Sequence, residues 1–124
     1  MSEYHHKLAV NMAAKSISRF RLGAVLARKS RVISTGFNAM HRTHPMMQRY
    51  NSDKSWTPGL HAEVDACLGV PRADLEGAEL YVARILKNGE PAIAKPCEIC
   101  TKFLMDVGIK RVFYTDAGGK WRIL

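Results

Sequence analysis

Apolar residues recur at close to helical spacing at Leu8, Val10, Met12, Ala13, Ile17 and Phe20, with Lys7, Lys15 and Arg19 left for water. This predicts a helix over residues 3–19. The pattern then changes. Gly23-Ala24-Val25-Leu26-Ala27 and Val32-Ile33-Ser34-Thr35-Gly36-Phe37 are short apolar runs on either side of the charged turn Arg28-Lys29-Ser30-Arg31, the signature of a β-hairpin. Runs this continuously apolar suit strands covered on both faces. Residues 38–59 have no period and hold Pro45, Pro58, Asn51, Ser52 and Asp53; so long a loop in a small domain is uncommon unless it is functional or disordered. A helix is expected over 60–68, ended by Gly69 and Pro71, then a strand over 80–86 closed by Asn88-Gly89. A helix over 97–107 stops at Gly108, and strands follow at 111–115 and 120–124. The turn Asp116-Ala117-Gly118-Gly119 is too short to join parallel neighbours, so these last two strands, if paired, are antiparallel. The reading is α-β-β-α-β-α-β-β, a layered α/β domain with a mixed sheet, in one domain over residues 1–124.

Composition narrows the classes. The 47% hydrophobic content suffices for one core. No apolar run approaches the roughly 18 residues of a membrane span, and the start Met1-Ser2-Glu3-Tyr4-His5-His6-Lys7 lacks the apolar centre of a secretory signal. A cytosolic chain is expected. Three cysteines then point to metal ligation rather than a disulfide framework. The net charge of +8 favours anionic partners but does not separate a nucleotide from a polynucleotide.

The candidate chemistry lies in His61-Ala62-Glu63 and Pro96-Cys97-Glu98-Ile99-Cys100. One imidazole and two thiols suit zinc, and three protein ligands leave its fourth position open for water, whose pKa zinc lowers toward neutrality. Glu63 could take that water's proton and hand it to a leaving group. Pro96 suits a helix start, where Cys97 meets first-turn N–H groups and the positive dipole end, both favouring thiolate. Cys100 follows on the same face at i+3, whereas His61 and Glu63, two apart, do not share a face. That separates a ligand from a proton carrier. Cys67 reads as a small buried thiol within its helix rather than as a fourth ligand.

H-x-E…P-C-x-x-C is a signature of zinc nucleobase deaminases, and the chain resembles the cytidine and deoxycytidylate deaminase superfamily, most of all its small phage or bacterial members. The order helix, hairpin, His61-Ala62-Glu63 helix, strand, Pro96-Cys97 helix and strand carries the resemblance over nearly the whole chain. It implies a cytidine deaminase-like three-layer α/β/α fold with a five-stranded mixed sheet, the fifth strand antiparallel to the fourth. It further implies one zinc per subunit on His61, Cys97 and Cys100, with Glu63 as general acid and base. Hydroxide attacks C4 of cytosine or C6 of adenine in such enzymes, and ammonia leaves. The Ala62 N–H would read the pyrimidine carbonyl, and Asn38 matches the position that contacts the sugar. Free-cytidine deaminases often use three cysteines, from which His61 departs. An antiparallel last strand resembles them more than it does the deoxycytidylate or tRNA adenosine enzymes. The family implies a dimer or tetramer.

Around this centre, Phe37, Trp56 and Tyr114 are candidates to stack on a base, while Arg42, His44, Arg49 and Lys54 could meet a phosphate. Trp121 is expected over a sheet edge or a subunit contact. Three functions compete. The first is hydrolytic deamination of cytosine in a free nucleoside or nucleotide. The second is deamination of RNA or single-stranded DNA, which would bind in a salt-dependent way. The third is a structural zinc module, in which metal removal unfolds the chain and Glu63 is dispensable.

Overall fold

The computed structural model describes residues 3–56 and 58–124; Met1, Ser2 and Thr57, from the N-terminal start and the 38–59 loop, lie outside the described residues. The hairpin strands β1 (Arg21–Arg28) and β2 (Arg31–Phe37) pair antiparallel. β1 also pairs antiparallel with β3 (Glu79–Ile85), and β3 pairs parallel with β5 (Arg111–Thr115). The closing strand β6 (Trp121–Ile123) runs antiparallel to β5, giving the order β2-β1-β3-β5-β6. A two-residue strand, β4 (Pro91–Ala92), pairs with the end of β3 through the Asn88-Gly89 turn. The mixed sheet of five main strands, with its last strand antiparallel to the fourth, is therefore present.

Strand residues alternate between faces, and two separate cores follow. Val25, Ala27, Tyr81, Ala83 and Phe113 pack with Ala9 of helix α1 (Glu3–Ala14). Ala24, Leu26, Leu80, Val82 and Val112 pack on the other face with α3 (Ala62–Cys67) and α5 (Glu98–Asp106). The sheet is thus sandwiched between helices in three layers. No helix among the described residues is long and apolar enough to cross a membrane.

Four departures from the sequence pattern have identifiable causes. α1 stops at Ala14 rather than 19 because the Ser16 hydroxyl donates to the Asn38 carbonyl at 3.0 Å, a side-chain bond that competes with helix continuation. Ile17 and Phe20, which looked like part of the helical face, are consequently 85% and 47% exposed. The 38–59 loop contains a short helix, α2 (Pro45–Arg49), with proline in its first turn and His44 Nδ1 accepting from the Met46 N–H at 3.2 Å. The loop's two ends are also bound together, since Ala39 and Leu60 exchange N–H···O bonds of 2.9 and 3.1 Å immediately before His61. A further short helix, α4 (Arg72–Leu75), follows Pro71.

Close approach of helix to sheet depends on two glycines. A Cβ on Gly36 would fall 2.5 Å from the Ala66 nitrogen and 2.8 Å from the Ala62 oxygen of α3; one on Gly23 would fall 2.2 Å from the Ala13 nitrogen of α1. These neighbours are backbone and cannot turn aside. Gly36→Ala should therefore push α3 off β2, costing about 1–3 kcal/mol or more, and should weaken metal retention with it. Gly23→Ala, on the opposite face, should destabilise comparably while sparing metal affinity. Urea unfolding with metal titration separates the two.

Candidate metal centre

His61 is the N-cap residue of α3 and Cys97 that of α5. Both are extended, and neither side chain caps its own helix, which frees them for another partner. The short helices start this way for local reasons: Leu60 is held in its bridge to Ala39, and Pro96 ends the extended stretch after β4. The two helix starts meet. His61 Nδ1 lies 3.3 Å from Cys100 Sγ and 3.5 Å from Cys97 Sγ, and the three donor atoms all fall within 4.8 Å of one another. An edge of about 3.5 Å between nitrogen and sulfur is what a zinc tetrahedron requires. The donor set and its spacing fit that ion. Among the described residues no other histidine, cysteine or acid joins the group. Cys67 is buried in the core cluster instead, its thiol pushed up to about 12 mainly by burial.

Electrostatics in the metal-free chain divide the pair of thiols. The Cys97 thiol is drawn down to about 4, first by the hydrogen bond from Cys100 and also by His61. Cys100 is driven the opposite way by that same bond and by burial. For His61, burial opposes the charged ring, but Cys97 and Glu63 outweigh it and raise the net pKa.

Glu63, in the first turn of α3, is 3% exposed and its Oε1 has no hydrogen-bond partner. Burial, opposed by His61, raises its pKa. An orphaned buried carboxylate oxygen is costly and marks a place where a ligand or water belongs. It faces a cleft of about 260 Å³ whose lining includes His61, Ala62, Glu63 and Cys97. Phe20, Leu22, Asn38 and Met40, with Arg84, Ile93 and Lys95, make up the rest of its lining. Asn38 is buried and braces two other lining residues: Oδ1 accepts from the Leu22 N–H at 2.9 Å and Nδ2 donates to the Phe20 carbonyl at 2.5 Å. One lone pair and one N–H of the amide remain for a ligand.

Of the residues singled out from the sequence, the structure gathers Asn38, His61, Ala62, Glu63 and Cys97 around the cleft, with Cys100 buried against His61. Phe37, His44 and Trp56 are not among the lining residues. The Phe37 N–H donates to Asp65 Oδ2 at 3.1 Å and ties β2 to α3; His44 caps α2; Trp56 is half exposed on the loop. Tyr114 packs against the larger core, and Trp121 stacks on His6 with ring centroids 4.2 Å apart. Phe20, Arg84 and Lys95 were not expected at the cleft, and Phe20 was assigned to the face of the first helix. Arg84 carried a signal, a cation inside the apolar run 80–86.

Comparison with known proteins agrees with this geometry. The family described as "Cytidine and deoxycytidylate deaminase zinc-binding region" matches residues 1–116. A deoxycytidylate deaminase of Mycobacterium phage D29 is 31% identical, over 90% of this chain and 91% of its own. Among solved structures, the dCMP deaminase of cyanophage S-TIM5 in complex with dCMP and dUMP superposes with a TM-score of 0.59 at 22% identity, covering 90% of this chain and 78% of that one. The cytidine deaminase of Mycobacterium leprae gives a TM-score of 0.57 at 22% identity, over 98% and 91%.

Two outcomes follow from the geometry. The purified chain should carry about one zinc, and His61→Ala or Cys97→Ser should each leave at most about a tenth of it, by elemental analysis. In the metal-free chain the low Cys97 pKa keeps that thiol anionic, so its alkylation rate should vary little between about pH 5 and 8 and fall steeply once zinc is added.

Proposed function

The chain belongs to the cytidine and deoxycytidylate deaminase family, and on that premise we propose that it hydrolyses the amino group from cytosine in a free nucleoside or nucleotide, releasing ammonia and the uracil product. The observation that carries this reading is the buried, unpartnered carboxylate oxygen of Glu63 beside the His61, Cys97 and Cys100 donors on a cleft. A zinc ion held by those three residues would supply a water of lowered pKa. Glu63 accepts a proton from the attacking water and delivers one to the departing amine; burial, which raises its pKa, suits a group that must both take and give. Ala62, the first residue of α3, has an N–H with no intrahelical acceptor, and this donor faces the pyrimidine carbonyl. Asn38 holds Phe20 and Leu22 in the wall and offers its remaining amide valences to the sugar. Phe37, His44 and Trp56 remain candidates from outside the lining.

The domain acts as one unit over residues 1–124, and assembly into a dimer or tetramer belongs to the same reading. Met40 and Ile93, about half exposed at the cleft, support it as apolar surface suited to a neighbouring subunit.

With zinc bound, turnover should appear as ammonia release on a panel of cytosine, cytidine, deoxycytidine and their monophosphates. Glu63→Gln should lower kcat by about 10²–10⁴-fold while zinc content stays at that of the unsubstituted chain. A zinc-replete chain inert on every member of the panel would refute the assignment.

A further inference from the structure

The cleft is lined by two basic side chains and one carboxylate. Glu63 lies at the metal group; Arg84 and Lys95 are the cations of the lining. Four other cations are paired, Lys7 with Glu3, Lys102 with Glu98, Arg111 with Glu79 and Arg122 with Asp116. Among the described residues neither Arg84 nor Lys95 has such a partner.

Arg84 is built into the sheet. It pairs in register with Leu22 of β1 and Ala92 of β4, and its N–H donates to Thr115 Oγ1 at 3.3 Å. Strand alternation puts its side chain on the face of Leu22, which also lines the cleft. The guanidinium lies 4.7 Å from the Phe20 ring centroid, a contact that orients its plane. Its Nε is buried without an acceptor. A guanidinium N–H held out of water and left unpaired is costly unless the site's ligand brings an acceptor.

Lys95 reaches the cleft by a different route. Residues 93–97 alternate exposed, buried, exposed, buried, exposed, and the exposed set Ile93, Lys95 and Cys97 is the set that lines the cleft. Two residues of extended chain separate Lys95 from Cys97, about 7 Å. Lys95 thus borders the same cleft one extended step along the chain from the metal group.

We infer that Arg84 and Lys95 form an anion subsite that takes the phosphate monoester of a cytosine nucleotide, and so select the monophosphate over the nucleoside. The inference rests on the deaminase reading for the base and on these two side chains for the phosphate. Two cations match the charge of a monoester, and the arginine fork matches two of its oxygens. A cleft of about 260 Å³ is on the scale of one small ligand. The loop cations do not compete for this role: Arg42, Arg49 and Lys54 are absent from the lining, and Lys54 Nζ is spent on the Gln48 carbonyl at 2.5 Å.

The test is calorimetric titration of the zinc-loaded chain with deoxyuridine, deoxyuridine monophosphate and a short single-stranded oligonucleotide, at one low salt concentration. The unsubstituted chain should favour the monophosphate over the nucleoside. Arg84→Gln and Lys95→Gln should each shrink that ratio by about 10- to 100-fold, Arg84→Lys should restore part of it, and Arg49→Gln, outside the cleft, should leave it unchanged. If Arg84→Gln does not fold, the exposed Lys95→Gln decides. No preference in the unsubstituted chain, a preference that survives both glutamine variants, or tighter binding of the oligonucleotide would overturn the subsite. The readout is binding, so a chain that releases no ammonia from any cytosine compound yet shows the preference and its loss would refute the deaminase reading and leave the subsite standing.

Discussion

Two helices begin at the same point in space, and the site depends on that meeting. An imidazole at the N-cap of α3 and a thiol at the N-cap of α5 come within 3.5 Å, with a second thiol one turn into α5 at 3.3 Å. Neither helix is long; α3 has 6 residues and α5 has 9. Helices this short are not stable by propensity, so their positions are set by packing. α3 lies flush on β2 because Gly36 presents no side chain to it, and Asp65 ties it to the Phe37 N–H. α5 follows β4 and leads into β5, the parallel neighbour of β3, as a crossover connection must. The sheet holds the donor atoms in place, and the helices present them.

The same placement explains a carboxylate that would otherwise be a defect. A first-turn glutamate usually sits in water and gains a little from the helix dipole. Glu63 is instead buried with one oxygen unpaired, at an energetic cost the fold sustains. Local cost of this kind concentrates at functional sites, where surrounding structure over-determines an unfavourable arrangement. Here α3 is fixed by Gly36, Asp65 and the Ala39–Leu60 bridge, so Glu63 is held at the cleft by the backbone that carries it.

How much of this was legible in the chain depended on how local each determinant is. The hairpin, the central strands and the helices after His61 and Pro96 are written in short-range periodicity and turn residues, and they lie within a residue or two of where the pattern placed them. The metal-site motif is equally local. The end of α1 was not, because a hydroxyl at Ser16 answers to a carbonyl at Asn38. α2 is too short to show a period, although His44-Pro45 carried its capping signal. The burial of Glu63 and the aim of Arg84 depend on register and on the layer above the sheet, and one chain's pattern does not encode these openly.

This difference in locality separates the chemistry from its selectivity. The groups proposed to hold metal and move protons sit in two motifs of a few residues each. The groups that border the rest of the cleft come from the end of the α1–β1 connection, the end of β2, the last turn of β3 and the extended stretch after β4. The excess positive charge follows the same division. Most of it lies on exposed arginines and lysines, where screening leaves only a general attraction for anions. A cation half-buried on a strand and stacked on a ring, as Arg84 is, keeps its field and its direction. Net charge could not tell a nucleotide from a strand of nucleic acid; the proposed phosphate subsite turns instead on one arginine whose place in the sheet fixes where a single charge meets the cleft.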